Sequence, residues 1–336
     1  MKDQQTAVQL PSSHIELRSE PASKSVQISF ILKEYGLPLL LLAISLVTTT
    51  AIGARFMQNF LEGQPTVVVD SDLWPWPWLL ENPSRFNLGW PFSIALLTIL
   101  LTHEFGHYFA CRAHQIRVTL PWLLPAPTLS GTAGAIILIR GRIPNRRALM
   151  DVGVSGPFAG YIASLIAIAI GLHLSMSPIP HQSEALIHFG QPLTIELVHQ
   201  FLTWFYPSTH SFDAATKHPV LVAGWIGLFI TSLNLMPGGQ LDGGHILYAI
   251  VPKAHKACTL TLSALLIVCG FFFWMGWLLW GLLLLIPAMK HPNVPLTQPL
   301  NKSRYACAAL AFVILALTFS ISPFLGSSIL HYIIHP

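Results

Sequence analysis

Residues 90–113 read WPFSIALLTILLTHEFGHYFACRA. The stretch is apolar with little polar interruption, and its length suits a helix crossing a bilayer, which takes about 20 residues. Three ionisable groups, His103, Glu104 and His107, break its second half. An ionisable side chain inside a membrane helix costs about 2.5–3.5 kcal/mol to insert and is by default a functional candidate. His103 and His107 stand four apart, so both imidazoles project from one helical face.

Two imidazoles on one face can each give a nitrogen to a tetrahedral zinc at about 2.0–2.1 Å. Glu104 is offset around the helix, where it can take a proton from water without ligating the metal. The plainer alternative is a polar cluster satisfied by neighbouring helices. Two histidines leave a catalytic zinc short of a protein ligand. A later apolar stretch, about 220–251, contains NLMPGGQLDGG at 234–244, in which Asp242 is the lone carboxylate. Asp242 is expected to reach the depth of the histidines and to complete the set with His103 and His107. Pro237, Gly238, Gly239, Gly243 and Gly244 favour a broken helix. Broken backbone at membrane depth is tolerated where it is buried in protein or lines a watery cavity. Asn234 can donate its amide to a developing oxyanion, or simply bridge helices.

The chain around these motifs has 336 residues, 53% hydrophobic and 10% charged. Soluble domains carry nearer a quarter charged residues. An ordinary soluble globule and bulk disorder are thereby excluded, and a formal charge of +4 gives no basis for nucleic-acid binding. The expected fold class is an all-α polytopic membrane protein, a bundle of about six or seven transmembrane helices. Spans are expected at about 37–54, 90–113, 152–174, 220–251 and 305–321. Residues 258–289 form either one long span or a hairpin marked by Gly270 and Gly276. Gly153, Gly156 and Gly160 open the third span and allow close helix approach.

Arg112, Arg117, Arg140, Arg142, Arg146 and Arg147 lie between spans two and three, and Lys253, Lys256, Lys290, Lys302 and Arg304 lie between later ones. This side is expected to be cytoplasmic, with the N-terminus inside. Keeping Lys290 there requires the hairpin, which makes seven spans. Residues 1–35 are expected as a cytoplasmic polar tail, 36–325 as the membrane domain with a core at about 90–251, and 326–336 as a short tail. With no organelle-targeting segment evident, a bacterial inner membrane is expected. Cys111, Cys258, Cys269 and Cys307 form no CxxC pair and read as small buried hydrophobes. The histidines of the outer loop, 173 to 218, read as solvated, and His245 as a neighbour of the site or a packing residue.

HEFGH followed by NLMPGGQLDGG resembles the site-2 protease family of intramembrane zinc metalloproteases, whose patterns are HExxH and NxxPxxxLDG. Asn234, Pro237, Leu241, Asp242 and Gly243 meet every fixed position of the second. The resemblance implies Zn2+ on His103, His107 and Asp242, Glu104 as the group that activates water, and a single-pass membrane protein as substrate. Many members also carry PDZ or CBS modules, and no segment here resembles one. Between spans two and three, residues 128–141 read TLSGTAGAIILIRG. This run is too short to span and rich in β-formers, so a short membrane-associated β segment is expected. Its edge could hold an unwound substrate by main-chain hydrogen bonds. The resemblance supports this with a GTxGA-like sequence, making Gly131, Thr132, Gly134, Ala135, Ile136 and Ile137 substrate-binding candidates. The competing expectation, from another class, is a non-hydrolytic membrane protein that binds or transports metal ions. That role gives no use to a non-ligating Glu104.

Overall fold

The computed structural model describes residues 32–177 and 184–334. Most of the expected N-terminal tail and the last two residues of the C-terminal one lie outside them. Eleven α-helices are described: α1 (Leu37–Leu61), α2 (Trp76–Glu81), α3 (Trp90–Ala113), α4 (Arg146–Leu174), α5 (Leu193–Thr203), α6 (Pro219–Asn234), α7 (Asp242–Ile250), α8 (Pro252–Phe272), α9 (Gly276–Leu285), α10 (Lys302–Thr318) and α11 (Ile329–Ile334). Four helices are long and apolar enough to cross a membrane, Glu34–Leu61, Pro83–Ala113, Arg146–Leu174 and His255–Phe272; α6 and α9 are apolar but shorter. The last expected span forms α10, with 17 residues.

The helices begin and end where local chemistry directs. Pro91 sits in the first turn of α3, where its missing N–H costs nothing. Asn145 caps α4 by accepting from the Ala148 amide. The stretch expected as a single fourth span is interrupted between α6 and α7. Gly239 turns the chain at φ +58°, a conformation that suits glycine. Gly243 then packs so tightly that a Cβ there would fall 1.9 Å from the Leu235 carbonyl oxygen.

α4 packs against both α3 and α6. Phe92, Leu96, Leu100, Ile168, Leu172, Leu221, Trp225 and Leu228 from these three helices belong to the main apolar core. Gly171 permits a close approach to α6: a Cβ there would lie 2.3 Å from the Leu221 amide nitrogen. A second cluster, with Met150, Ile246, Ala308 and Ala311, docks α10 onto α4 and α7.

Residues 258–289 divide between two helices, α8 and α9, that pack on each other about a turn at 273–275. Gly281 is one contact point: its carbonyl accepts from Ser263 Oγ at 2.7 Å, and a Cβ there would lie 2.8 Å from the Ser263 carbonyl oxygen. The hairpin returns the chain to the α6–α7 break. There Gln240 Nε2 donates to the carbonyls of Ala288 at 2.6 Å and Lys290 at 3.0 Å.

Between α3 and α4, strands β1 (Trp122–Pro125) and β2 (Thr132–Ile136) form an antiparallel hairpin, pairing Trp122 with Ile136 and Leu123 with Ala135. β1 went unassigned from sequence because its Pro-Trp-Leu-Leu-Pro composition hides a strand. The turn is seated on α1, where Thr48 Oγ1 donates to the Gly131 carbonyl at 2.7 Å. A further two-stranded ribbon pairs β3 (His188–Phe189) with β4 (Phe324–Leu325).

In the connection between α1 and α2, Asp72 is buried against Arg55 Nε at 2.6 Å and Asn59 Nδ2 at 3.0 Å. Burial alone would raise its carboxyl, but hydrogen bonds from the Val68 amide, Arg55, Asn59 and the Val69 amide hold it below the usual carboxylate value. His218 departs from the solvated expectation. It is buried, and its Nδ1 caps α6 by accepting from the Val220 amide. The four cysteines are free thiols; Cys111 is buried and the other three are half-buried.

Candidate metal centre

α3 presents His103 and His107 one turn apart, and the α6–α7 break delivers Asp242 at the start of α7. Asp242 Oδ2 lies 3.3 Å from His103 Nε2 and 3.2 Å from His107 Nε2. The two Nε2 atoms are 3.2 Å apart. Ligand atoms at 2.0–2.1 Å from a tetrahedral centre stand about 3.3 Å from one another, so the triangle fits one zinc ion. Two imidazoles and one carboxylate also form a donor set of the catalytic zinc type, with a coordination position left over. Among the described residues this is the one His/Cys/Asp/Glu group whose ligand atoms converge in this way.

The surroundings fix the ligands. His107 Nδ1 donates to the Val152 carbonyl of α4 at 2.8 Å. That bond places the proton on Nδ1 and leaves Nε2 as a bare acceptor. The imidazoles lie across glycines of α4: a Cβ on Gly156 would fall 2.1 Å from His107 Nε2, and one on Gly160 2.9 Å from His103 Nδ1. These glycines read from sequence as helix-contact residues; the structure makes them seats for the ligands. Their four-residue step matches that of His103 and His107, a signal the sequence does carry.

A cavity of about 410 Å³ opens onto the triangle. Glu104, buried beside His103, lines it, with the Ile137 backbone amide near its carboxylate. Asn234 lines it from the last residue of α6, with Nδ2 3.2 Å from His103 Nε2. Ala135, Ile136 and Ile137 form one wall.

The other three hairpin candidates are placed elsewhere. Gly131, at φ +76°, packs on the Thr48 backbone and borders an apolar pocket of about 350 Å³ beside α1. Thr132 is buried, its Oγ1 donating to the Leu124 carbonyl at 2.8 Å. Gly134, at φ +107°, shapes the backbone and is not among the cavity-lining residues. The sequence could not separate these roles, because which end of the hairpin meets α1 and which meets the metal triangle is set by packing. His291 was also missed. It reaches His245 from 46 positions away, and nothing local marks it.

The centre has the donor set of a catalytic zinc site and lies among membrane-length helices. Comparison with known proteins agrees. The profile of peptidase family M50 matches residues 91–277, and the chain belongs to that family. A probable zinc metalloprotease, the chloroplastic EGY1 of Arabidopsis thaliana, is 31% identical over 236 residues, covering 68% of this chain and 42% of the relative. The EGY1 of Oryza sativa subsp. japonica is 33% identical over 166 residues, 48% of this chain and 28% of the relative. The EGY2 of Arabidopsis thaliana is 25% identical over 253 residues, 71% of this chain and 42% of the relative. The chain thus spans under half the length of these curated relatives.

Proposed function

We propose that the chain is an intramembrane zinc endopeptidase that hydrolyses peptide bonds within or next to transmembrane segments of membrane-protein substrates. The observation that carries this reading is a zinc-sized triangle of His103, His107 and Asp242 beside the non-ligating Glu104, in a cavity walled by a strand. When bound, zinc supplies a Lewis acid that polarises a carbonyl and makes water a better nucleophile.

The chain's own residues do the rest. Glu104 takes the proton of the attacking water and delivers it to the leaving amine. The Ile137 amide near it sets it beside the cavity wall of residues 135–137. Asn234 donates to the oxyanion from the end of α6. Residues 135–137 pair with an unwound stretch of substrate by strand addition, while Gly131, Thr132 and Gly134 shape the turn behind them. The substrate is a single-pass membrane protein whose cutting serves a regulatory proteolytic step. The basic face, carrying the N-terminus, is cytoplasmic, and the membrane is the inner membrane of a bacterium. The location in the relatives' names belongs to those proteins, and fractionation of the native host tests it here.

The decisive comparison is Glu104→Gln against the parent, purified in detergent with a candidate substrate. Zinc content is expected to stay at the parent level while cleavage falls by about 10²-fold or more. Equal turnover by the variant, or metal flux without cleavage by the parent, overturns the reading in favour of metal binding or transport.

A further inference from the structure

The cavity holds a third imidazole that the hydrolytic steps leave unused. His245 stands one turn beyond Asp242 on α7 and lines the cavity beside the metal ligands. Its Nδ1 lies 2.8 Å from His291 Nε2, and His291 Nδ1 lies 2.7 Å from the Pro292 carbonyl oxygen. A carbonyl can only accept, so His291 carries its proton on Nδ1 and leaves Nε2 bare. His245 must then donate from Nδ1, which makes its own Nε2 an acceptor in the neutral ring. No described residue bonds that nitrogen, and it is not a buried orphan atom. It is open to the cavity.

The supporting ring is held on several sides. His291 stacks on Tyr248 at 4.0 Å with the planes 10° apart, and meets His255 edge-on at 5.1 Å. His255 Nε2 lies 3.1 Å from the Gly239 carbonyl oxygen. The loop carrying His291 is fastened to the α6–α7 break by the two hydrogen bonds of Gln240. Burial, with His245 nearby, pushes the His291 imidazole down to about 4, so it stays neutral near pH 7. The α8–α9 hairpin therefore brings a tautomer lock to the cavity.

We propose that His245, its tautomer fixed by His291, positions the substrate by accepting at Nε2 a hydrogen bond from a backbone N–H next to the scissile bond. Unwinding a substrate helix frees such N–H groups, and in a membrane cavity each one left unpaired is costly. The metal ligands, Asn234 and Glu104 are committed to the carbonyl and the water; His245 supplies an acceptor for the donor side of the peptide. His291 acts through His245 and is a positioning residue. This inference rests on the peptidase reading for the identity of its ligand, whereas the lock itself does not.

The test has two arms. In the first, the full chain labelled with 15N-histidine is studied by NMR in micelles without substrate. His245 is expected to show a protonated Nδ1 and a bare Nε2, and His291→Phe, which keeps a ring on Tyr248 but offers no acceptor, should release that preference. In the second, cleavage of a membrane peptide is followed with zinc content and Tm as controls. His291→Phe and His245→Ala should each raise KM about tenfold with kcat little changed, the loss of one hydrogen bond made equally in ground and transition states. The double variant should be no worse than His245→Ala, and His291→Gln, which restores an acceptor, should recover most of the loss. An unlocked His245 ring in the parent overturns the proposal, as does an unchanged KM in a folded, cleaving His291→Phe enzyme. A parent that never cleaves defeats the peptidase reading, and the NMR arm still decides the lock.

Discussion

Gly156 lacks a side chain because His107 fills the space one would take. A Cβ there would fall 2.1 Å from Nε2 and 2.4 Å from Cδ2 of that imidazole. Gly156→Ala is therefore expected to push His107 off its Val152 hydrogen bond and to weaken zinc retention at least about tenfold, in line with losses when a ligand's support is removed. Zinc stoichiometry after a chelator challenge measures it; parent-like retention would show that α3 and α4 can part without cost. His218 makes a different residue-scale prediction. Burial lowers its imidazole from 6.5 to about 4. The unfolded chain thus binds the proton more readily, so the stability from the neutral ring is complete above about pH 6.5 and lost as pH falls towards 4. His218→Asn keeps an acceptor for the Val220 amide and removes the titration. Its Tm in detergent should fall less than the parent's between pH 7.5 and 4.5, and an identical fall would assign the acid sensitivity to other groups.

At the scale of elements, the α8–α9 hairpin matters because of what it returns to the site. Gly281 lets the two helices touch, and a larger residue would meet the Ser263 carbonyl and Ile267 side chain within 3 Å. Gly281→Leu is expected to cost about 1–3 kcal/mol by overpacking and to loosen the loop that carries Ala288, Lys290 and His291. A lower Tm with zinc retained but a raised KM would be its signature. The β1–β2 hairpin rests on Thr132, whose Oγ1 donates to the Leu124 carbonyl and accepts from the Gly134 amide at 3.1 Å. Thr132→Val should reduce cleavage several-fold with zinc content unchanged, since the cavity wall and not the metal triangle loses its support. Loss of zinc in parallel would show that the wall and the ligands are one unit.

Across the whole molecule, Asp151 ties the last long helix to the core. It accepts from Arg304 Nε at 2.8 Å and Nη2 at 2.6 Å, and its Oδ2 lies 2.9 Å from His114 Nε2 at the end of α3. Arg304→Gln should lower stability by about 1–2 kcal/mol and leave zinc binding intact, as read by thermal unfolding in detergent. The reading of the basic face as cytoplasmic is tested with single cysteines at Ser84 and Ser303 in a cysteine-free background. Both positions are exposed, and an impermeant thiol reagent applied from outside should label only the first. The sequence by itself determined the candidate ligand residues and much of the helix plan. HEFGH at four-residue spacing, the run NLMPGGQLDGG and the apolar stretches about them are local patterns, and local patterns survive in a single string of letters. It could not say that Gly156 and Gly160 hold the imidazoles, which three of six hairpin residues wall the cavity, or that His291 meets His245. Those depend on register, on the depth at which helices cross and on a hairpin folding back, and only packing of the whole chain sets these distances.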